Sequence, residues 1–175
     1  MKSFFTLSLV LLSICNYAQK LDYKTLKSFI GNRVVELEEY YGIQSSSIED
    51  NFGNQKVSYS DIEIAPYEIN MVVETEGKNI KKITVINSKN RTSFFQNFAE
   101  EIQLASPVKK NYKTYYISLV KNSTKKKIYQ ESINQLVELL KKPTTDLSQN
   151  HGLLEANSLN ATITIDHTSC ILTIN

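Results

Sequence analysis

An α+β fold, with antiparallel sheet packed against helices, is predicted for this chain. Three observations carry that prediction. Apolar residues recur at helical spacing in four places, at period two in most of the remaining segments, and the glycine-marked turn Gly77-Lys78-Asn79 joins two period-two runs as a hairpin. The element order reads as two helices and a β-meander in the first half, then helix, strand, helix and hairpin in the second.

The first eighteen residues stand apart from that fold. Lys2 supplies a positive start, Phe4 to Ile14 an apolar core, and Asn16-Tyr17-Ala18 a short polar run ending in a small residue. This is the layout of a secretory signal peptide with cleavage between Ala18 and Gln19. Its apolar core is far shorter than the roughly 20 residues of a membrane span. A lipid anchor on Cys15 is the competing reading, but Ile14 is large and branched where a small residue is wanted. The mature chain is therefore expected to be exported, periplasmic or extracellular, with no transmembrane segment.

The first helix is capped by Asp22, stapled by Leu21 and Leu26, apolar along Leu26, Phe29 and Ile30, and ended by Gly31. The second spans Arg33 to Tyr41, with Val34, Leu37 and Tyr41 on one face and Gly42 closing it. Ile43 to Gln55 is polar and reads as loop. Val57 and Tyr59 alternate, and Ile62 and Ile64 resume in the opposite parity, which predicts a bulge at Ser60-Asp61. Ile69, Met71 and Val73 form one strand face, Gly77-Lys78-Asn79 a hairpin turn, and Ile83 and Val85 the returning strand.

In the second half, Ser93 and Gln96 form a capping box for a helix bearing Phe94, Phe98 and Ile102, stopped at Ser106-Pro107. Tyr115, Ile117 and Leu119 alternate as a strand. A long helix is expected from Lys126 to Lys142, with Tyr129, Ile133, Leu136, Val137 and Leu140 as its stripe and Pro143 after it. Thr144 to Asn160 reads as loop with a helical turn near Leu153. Ala161-Ile163-Ile165 and Cys170-Leu172-Ile174 close the chain as a hairpin around Thr168-Ser169. The segment 87–91 is the expected boundary if the domain divides into two lobes.

Two glycines eleven residues apart, Gly31 and Gly42, bracket a short helix carrying Leu37, Tyr40 and Tyr41, and Gly77-Lys78-Asn79-Ile80 follows in the meander. Residues 21–87 thereby resemble the helix-helix-three-strand unit of the BamE outer-membrane assembly lipoproteins and of the beta-lactamase inhibitory proteins. The resemblance implies a fold, and for the inhibitory proteins a concave sheet that grips an enzyme.

Net charge is +2, or +1 once Lys2 is gone, but it is unevenly spread. Residues 19–76 hold eleven acids against five bases, and residues 103–142 hold nine lysines against two glutamates. The basic stretch lacks arginine, so nucleic acid is not expected as a partner. After export Cys170 is the remaining cysteine and no internal disulfide can form.

No chemistry-bearing constellation is evident. His151 and His167 are the two histidines. Asp166, His167 and Cys170 crowd a tight turn, a poor setting for a thiol–imidazole pair. Asn51, Gly53 and Asn54 lack the alternating ligands of a calcium loop. Neither a cofactor nor a metal is predicted. Ten tyrosines without tryptophan are the remaining signal. Tyr59, Tyr67, Tyr112 and Tyr116 are expected at exposed faces or loop edges. Lys109, Lys110 and Lys113 flank Tyr112 and precede Tyr116, so these five residues form the predicted binding patch. The expected function is a non-enzymatic exported binding or cell-envelope accessory domain with a protein partner. The alternative is a small secreted enzyme or apolar-ligand carrier.

Overall fold

A computed structural model describes residues 19–106, 113–120, 124–130, 132–141 and 151–175. Residues 1–18, with Cys15 and Ala18, lie outside these residues. The elements in order are α1 (Tyr23–Ser28), α2 (Val34–Tyr41), β1 (Ser47–Asn51), β2 (Asn54–Ile64), β3 (Tyr67–Glu76) and β4 (Asn79–Asn87). Then come α3 (Arg91–Ala105), β5 (Lys113–Val120), β6 (Thr124–Gln130), α4 (Ile133–Lys141), β7 (His151–Ala156), β8 (Ala161–Ile165) and β9 (Cys170–Ile174). The strands make one nine-stranded sheet in the order β1-β2-β3-β4-β9-β8-β7-β5-β6, and every pairing is antiparallel. The fold is α+β.

Register aligns the apolar positions of successive strands into rows across the sheet. One row runs Val57, Val73, Ile83, Ile174, Ala161, Ala156, and the next Tyr59, Met71, Val85, Leu172, Ile163, Leu154. All twelve are buried. The alternate residues of the central strands β3, β4, β9 and β8 are half-buried or exposed. The helices therefore cover one face of the sheet and leave the other open. Tyr67 meets Phe94 edge-on at 5.0 Å on the covered side, which seats α3 over that face.

The start of the chain follows its sequence closely. Oδ1 of Asp22 accepts the Thr25 amide at 2.9 Å, and Leu21 and Leu26 are both buried. Gly42 takes a left-handed φ of 63° at the end of α2, where a side chain would be strained, and the Ile43 amide reaches back to the Glu38 carbonyl. The bulge falls where the parity switch puts it. Register slips between Tyr59 and Ile62, and Asp61 has a φ of 51°. The Asn70 side chain accepts the Asp61 amide at 2.7 Å, so the extra residue keeps a partner.

Four expectations need correction. Residues 47–51 are strand, not loop: β1 is exposed at every position, so no apolar alternation marks it. It is held by the turn Phe52-Gly53, both at positive φ, and by Oδ1 of Asp50 accepting the Gly53 amide. The long helix is also shorter than expected, because Thr124–Gln130 is β6 and α4 begins only at Ile133. Tyr129 is 57% exposed on that strand and is no part of a helical core stripe; its four-residue spacing to Ile133 is coincidental. Ser132 and Gln135 form a reciprocal capping box that marks the true start.

The third correction is β7, which occupies residues 151–156 where a loop was expected. Its buried positions are Gly152, Leu154 and Ala156, and two small residues of three gave little hydrophobic signal. The helical turn lies just after it, at Asn157–Leu159, and not at Leu153. Residues 142–150, with Pro143, lie outside the described residues. Last, α3 begins at Arg91, so Ser93 sits inside its first turn, without a capping bond from that side chain. Arg91 donates to the Asp166 carbonyl, anchoring the earlier start.

Candidate functional site

The face of the sheet opposite the helices is an organised surface among the described residues. Its central row runs Asn70, Ile86, Ile171, Thr164, Leu153, Tyr115, Tyr129. The adjacent row runs Val72, Thr84, Thr173, Thr162, Glu155, Lys113. Strand alternation puts the residues of the central strands on one side, since each stands between two buried positions, and register carries the rows on to Tyr115, Tyr129 and Lys113. All but Lys113 and Tyr129 are half-buried, with no described helix packed over them; those two, at the β5–β6 end, are exposed.

At that end the Tyr115 and Tyr129 rings meet edge-on, centroids 6.1 Å apart. The surface so formed is an apolar and aromatic stripe beside a band of threonine methyl and hydroxyl groups. Charges close its ends. Lys113 and Glu155 are cross-strand partners at one end, and Lys82 pairs with Glu74 at 2.7 Å at the other. An apolar centre with a polar, charged margin is the composition of a protein-recognition surface.

The predicted patch divides on this frame. Lys113 is exposed on β5, in the open-face row. Tyr116 is in β5 with Gly152 and Ile128 as register partners, and it stands three positions after Lys113, so the two differ in parity. Tyr112, Lys109 and Lys110 lie outside the described residues. Tyr59 and Tyr67, expected at exposed edges, are buried instead. The Tyr59 hydroxyl donates to Glu38 at 2.9 Å, and the Tyr67 hydroxyl accepts from Asn97 at 2.5 Å. Each is drawn inside because a helix supplies a polar partner for its hydroxyl. Tyr115 and Tyr129, in place of the enclosed Tyr59 and Tyr67, stand on the open face. Neither stood out in the sequence: Tyr115 shares its parity with Ile117 and Leu119, the apolar side of its strand, and Tyr129 falls at helical spacing from Ile133 until β6 is recognised as strand.

The histidine–cysteine neighbourhood is a turn. Oδ1 of Asp166 accepts the Thr168 amide and hydroxyl, both at 2.7 Å, and the Ser169 amide at 2.8 Å. Partial burial opposes ionisation of Asp166, but these hydrogen bonds outweigh it and hold the carboxyl below its usual range. Cys170 is fully buried, and burial followed by the nearby Asp166 charge pushes its thiol well up, so it stays protonated. Among the described residues no cluster of three or more His, Cys, Asp or Glu could hold a metal ion. No described helix is long and apolar enough to cross a membrane.

On the helical side a cleft of about 730 Å³ lies between α1, the end of α3 and the turn at Asn157–Leu159. Tyr23, Leu104 and Leu159 give it apolar surface, and Lys20, Lys24 and Glu101 stand at its rim. Glu101 accepts the Tyr23 amide at 2.7 Å and faces Lys20 at 3.6 Å. Leu104 is 84% exposed there.

No protein-family model, curated protein or solved structure matches this chain.

Proposed function

We propose that this protein is an exported, non-enzymatic binding domain of the cell envelope, and that it engages a protein partner across the open face of its sheet. The observation that carries the reading is the half-buried row Ile86, Ile171, Leu153, Tyr115 ending in exposed Tyr129, bordered by Lys113 and Glu155. Aromatic and aliphatic area of this kind gives binding energy at low entropic cost, and the charges at its margin orient the partner. The leader at residues 1–18 supports export. The resemblance of residues 21–87 to BamE and the beta-lactamase inhibitory proteins supports a protein partner held on a sheet.

The test is capture from the envelope fraction of the protein's own cells, comparing the unmodified protein with the double variant Tyr115→Ala, Tyr129→Ala. Capture of a defined protein that falls at least about tenfold in the variant, with an unchanged melt, is the expected result. Equal capture by both proteins would remove the open face from consideration. Lys113→Ala, tested beside it, asks whether the predicted lysine contributes orientation.

A second reading, a carrier for a small apolar ligand, is favoured by one observation: Leu104 stands exposed in a cleft whose other walls are partly apolar. Leu104→Lys would abolish binding of a fluorescent apolar probe under that reading and leave open-face capture intact.

A further inference from the structure

The charge asymmetry of the sequence becomes an asymmetry along the sheet. Strands β1 to β3, from Ser47 to Glu76, hold seven acids and one base, Lys56. From Lys113 to Gln130, across β5 and β6, there are five lysines and no acid. β1 and β6 are the two end strands of the sheet. At about 4.8 Å per strand the ends lie roughly 38 Å apart, several screening lengths at physiological salt, so neither neutralises the other.

Both end strands present a free edge among the described residues. In β1 the pair Asn51–Asn54 flanks a two-residue turn, and bonded pairs alternate from there. The backbone groups of Ile48 and Asp50 are thereby turned away from β2. β6 carries Lys125, Lys126 and Lys127 in consecutive positions, paired through the backbone to Leu119, Ser118 and Ile117. Exposed apolar side chains stand at both ends: Ile48 at 58% and Phe52 at 102% on the β1 hairpin, and Tyr129 at 57% on β6. Phe52, at the tip of that hairpin, is covered by none of the described residues.

We propose that the protein associates head to tail with a second copy of itself, β1 of one copy pairing with β6 of the next. Charged edges ordinarily protect a sheet from adding strands. Here like charge opposes β1 against β1 and β6 against β6, while the heterologous pairing sets the acidic strand beside the lysine-rich one. Such a contact leaves one acidic and one basic edge free, so it propagates unless a ring closes. A five-residue strand gives less area than the ~1,000 Å² of a stable interface, so the association is weak, concentration-dependent and sensitive to salt.

Sedimentation velocity on the purified protein tests this independently of any envelope partner. At low ionic strength the weight-average mass should climb with concentration to at least twice the monomer value, and raising salt about tenfold should weaken the association about tenfold or more. The variant Glu49→Lys, Asp50→Asn and the variant Lys125→Glu, Lys127→Glu should each remain monomeric alone. Mixed, they should form a 1:1 complex, because the native β6 of the first meets the native β1 of the second. Melting curves matched to the parent establish that both variants fold. A monomer at every concentration and salt overturns the proposal, as does self-association by either variant alone or a mixture that stays monomeric.

Discussion

The Tyr59 hydroxyl donates to Oε1 of Glu38 at 2.9 Å, fastening the second helix to the covered face of strand β2. Tyr59 is 1% exposed, so its hydroxyl left the solvent on folding and Glu38 replaces the water it lost. Tyr59→Phe should cost about 1.5 kcal/mol, the low end for a bond to a charged group, because Glu38 can still be rehydrated. Urea unfolding measures this, and a change below about 0.3 kcal/mol would mean that the bond adds nothing net.

Stability should fall at alkaline pH. Burial is the first cause that raises Tyr59, Tyr41 and Cys170, with the Glu38 bond adding to Tyr59, the Tyr40 charge to Tyr41 and the Asp166 charge to Cys170. Each group therefore releases its proton more readily in the unfolded chain, whose ordinary values are about 8.5 for a thiol and 10 for a phenol. Their contribution is whole below those values and is lost as pH rises above them. Urea midpoints should hold steady to about pH 8 and drop steeply past about pH 10. Tyrosinate absorbance from the buried rings should appear only with unfolding, and a midpoint unchanged to about pH 11 would refute the account.

Leu136 is fully buried on α4, and Leu136→Ala should cost about 2–5 kcal/mol. Tyr129→Ala, on the open face, should stay within about 0.5 kcal/mol of the parent. The pair of melts discriminates between a strand and a helical core stripe at Tyr129: a loss at Tyr129 as large as at Leu136 would return it to the core.

Ser132→Ala removes one half of the capping box with Gln135 and should cost about 1 kcal/mol. Ser132→Asp, which restores an acceptor and suits a helix start, should recover most of that loss in the same denaturation series.

Phe52 stands at a φ of 53° in a turn that favours asparagine followed by glycine. Phe52→Asn should therefore stabilise the monomer by about 0.5 kcal/mol while weakening head-to-tail association. Thermal melts and sedimentation on one sample report the two effects, and a variant that melts lower would contradict the turn assignment.

Where a local signal was strong, the residues alone placed the elements. Asp22 with Leu21 and Leu26 marked α1, Gly42 ended α2, and the parity switch between Tyr59 and Ile62 located the bulge, because each is decided within a few residues of chain. What failed was strand without alternation. β1 is exposed throughout, and β7 buries Gly152 and Ala156, so neither shows the period of two. Their existence depends on partners distant in sequence: β7 is strand because it lies between β5 and β8, and β9 closes the sheet by pairing with β4. Residue types could count the tyrosines and the uneven charge. Only strand order decided that Tyr115 and Tyr129 share an open face, that Tyr59 and Tyr67 are enclosed, and that acids and lysines gather at opposite ends of one sheet. A side chain's exposure is fixed by what packs over its strand, and that is a property of the assembled layers.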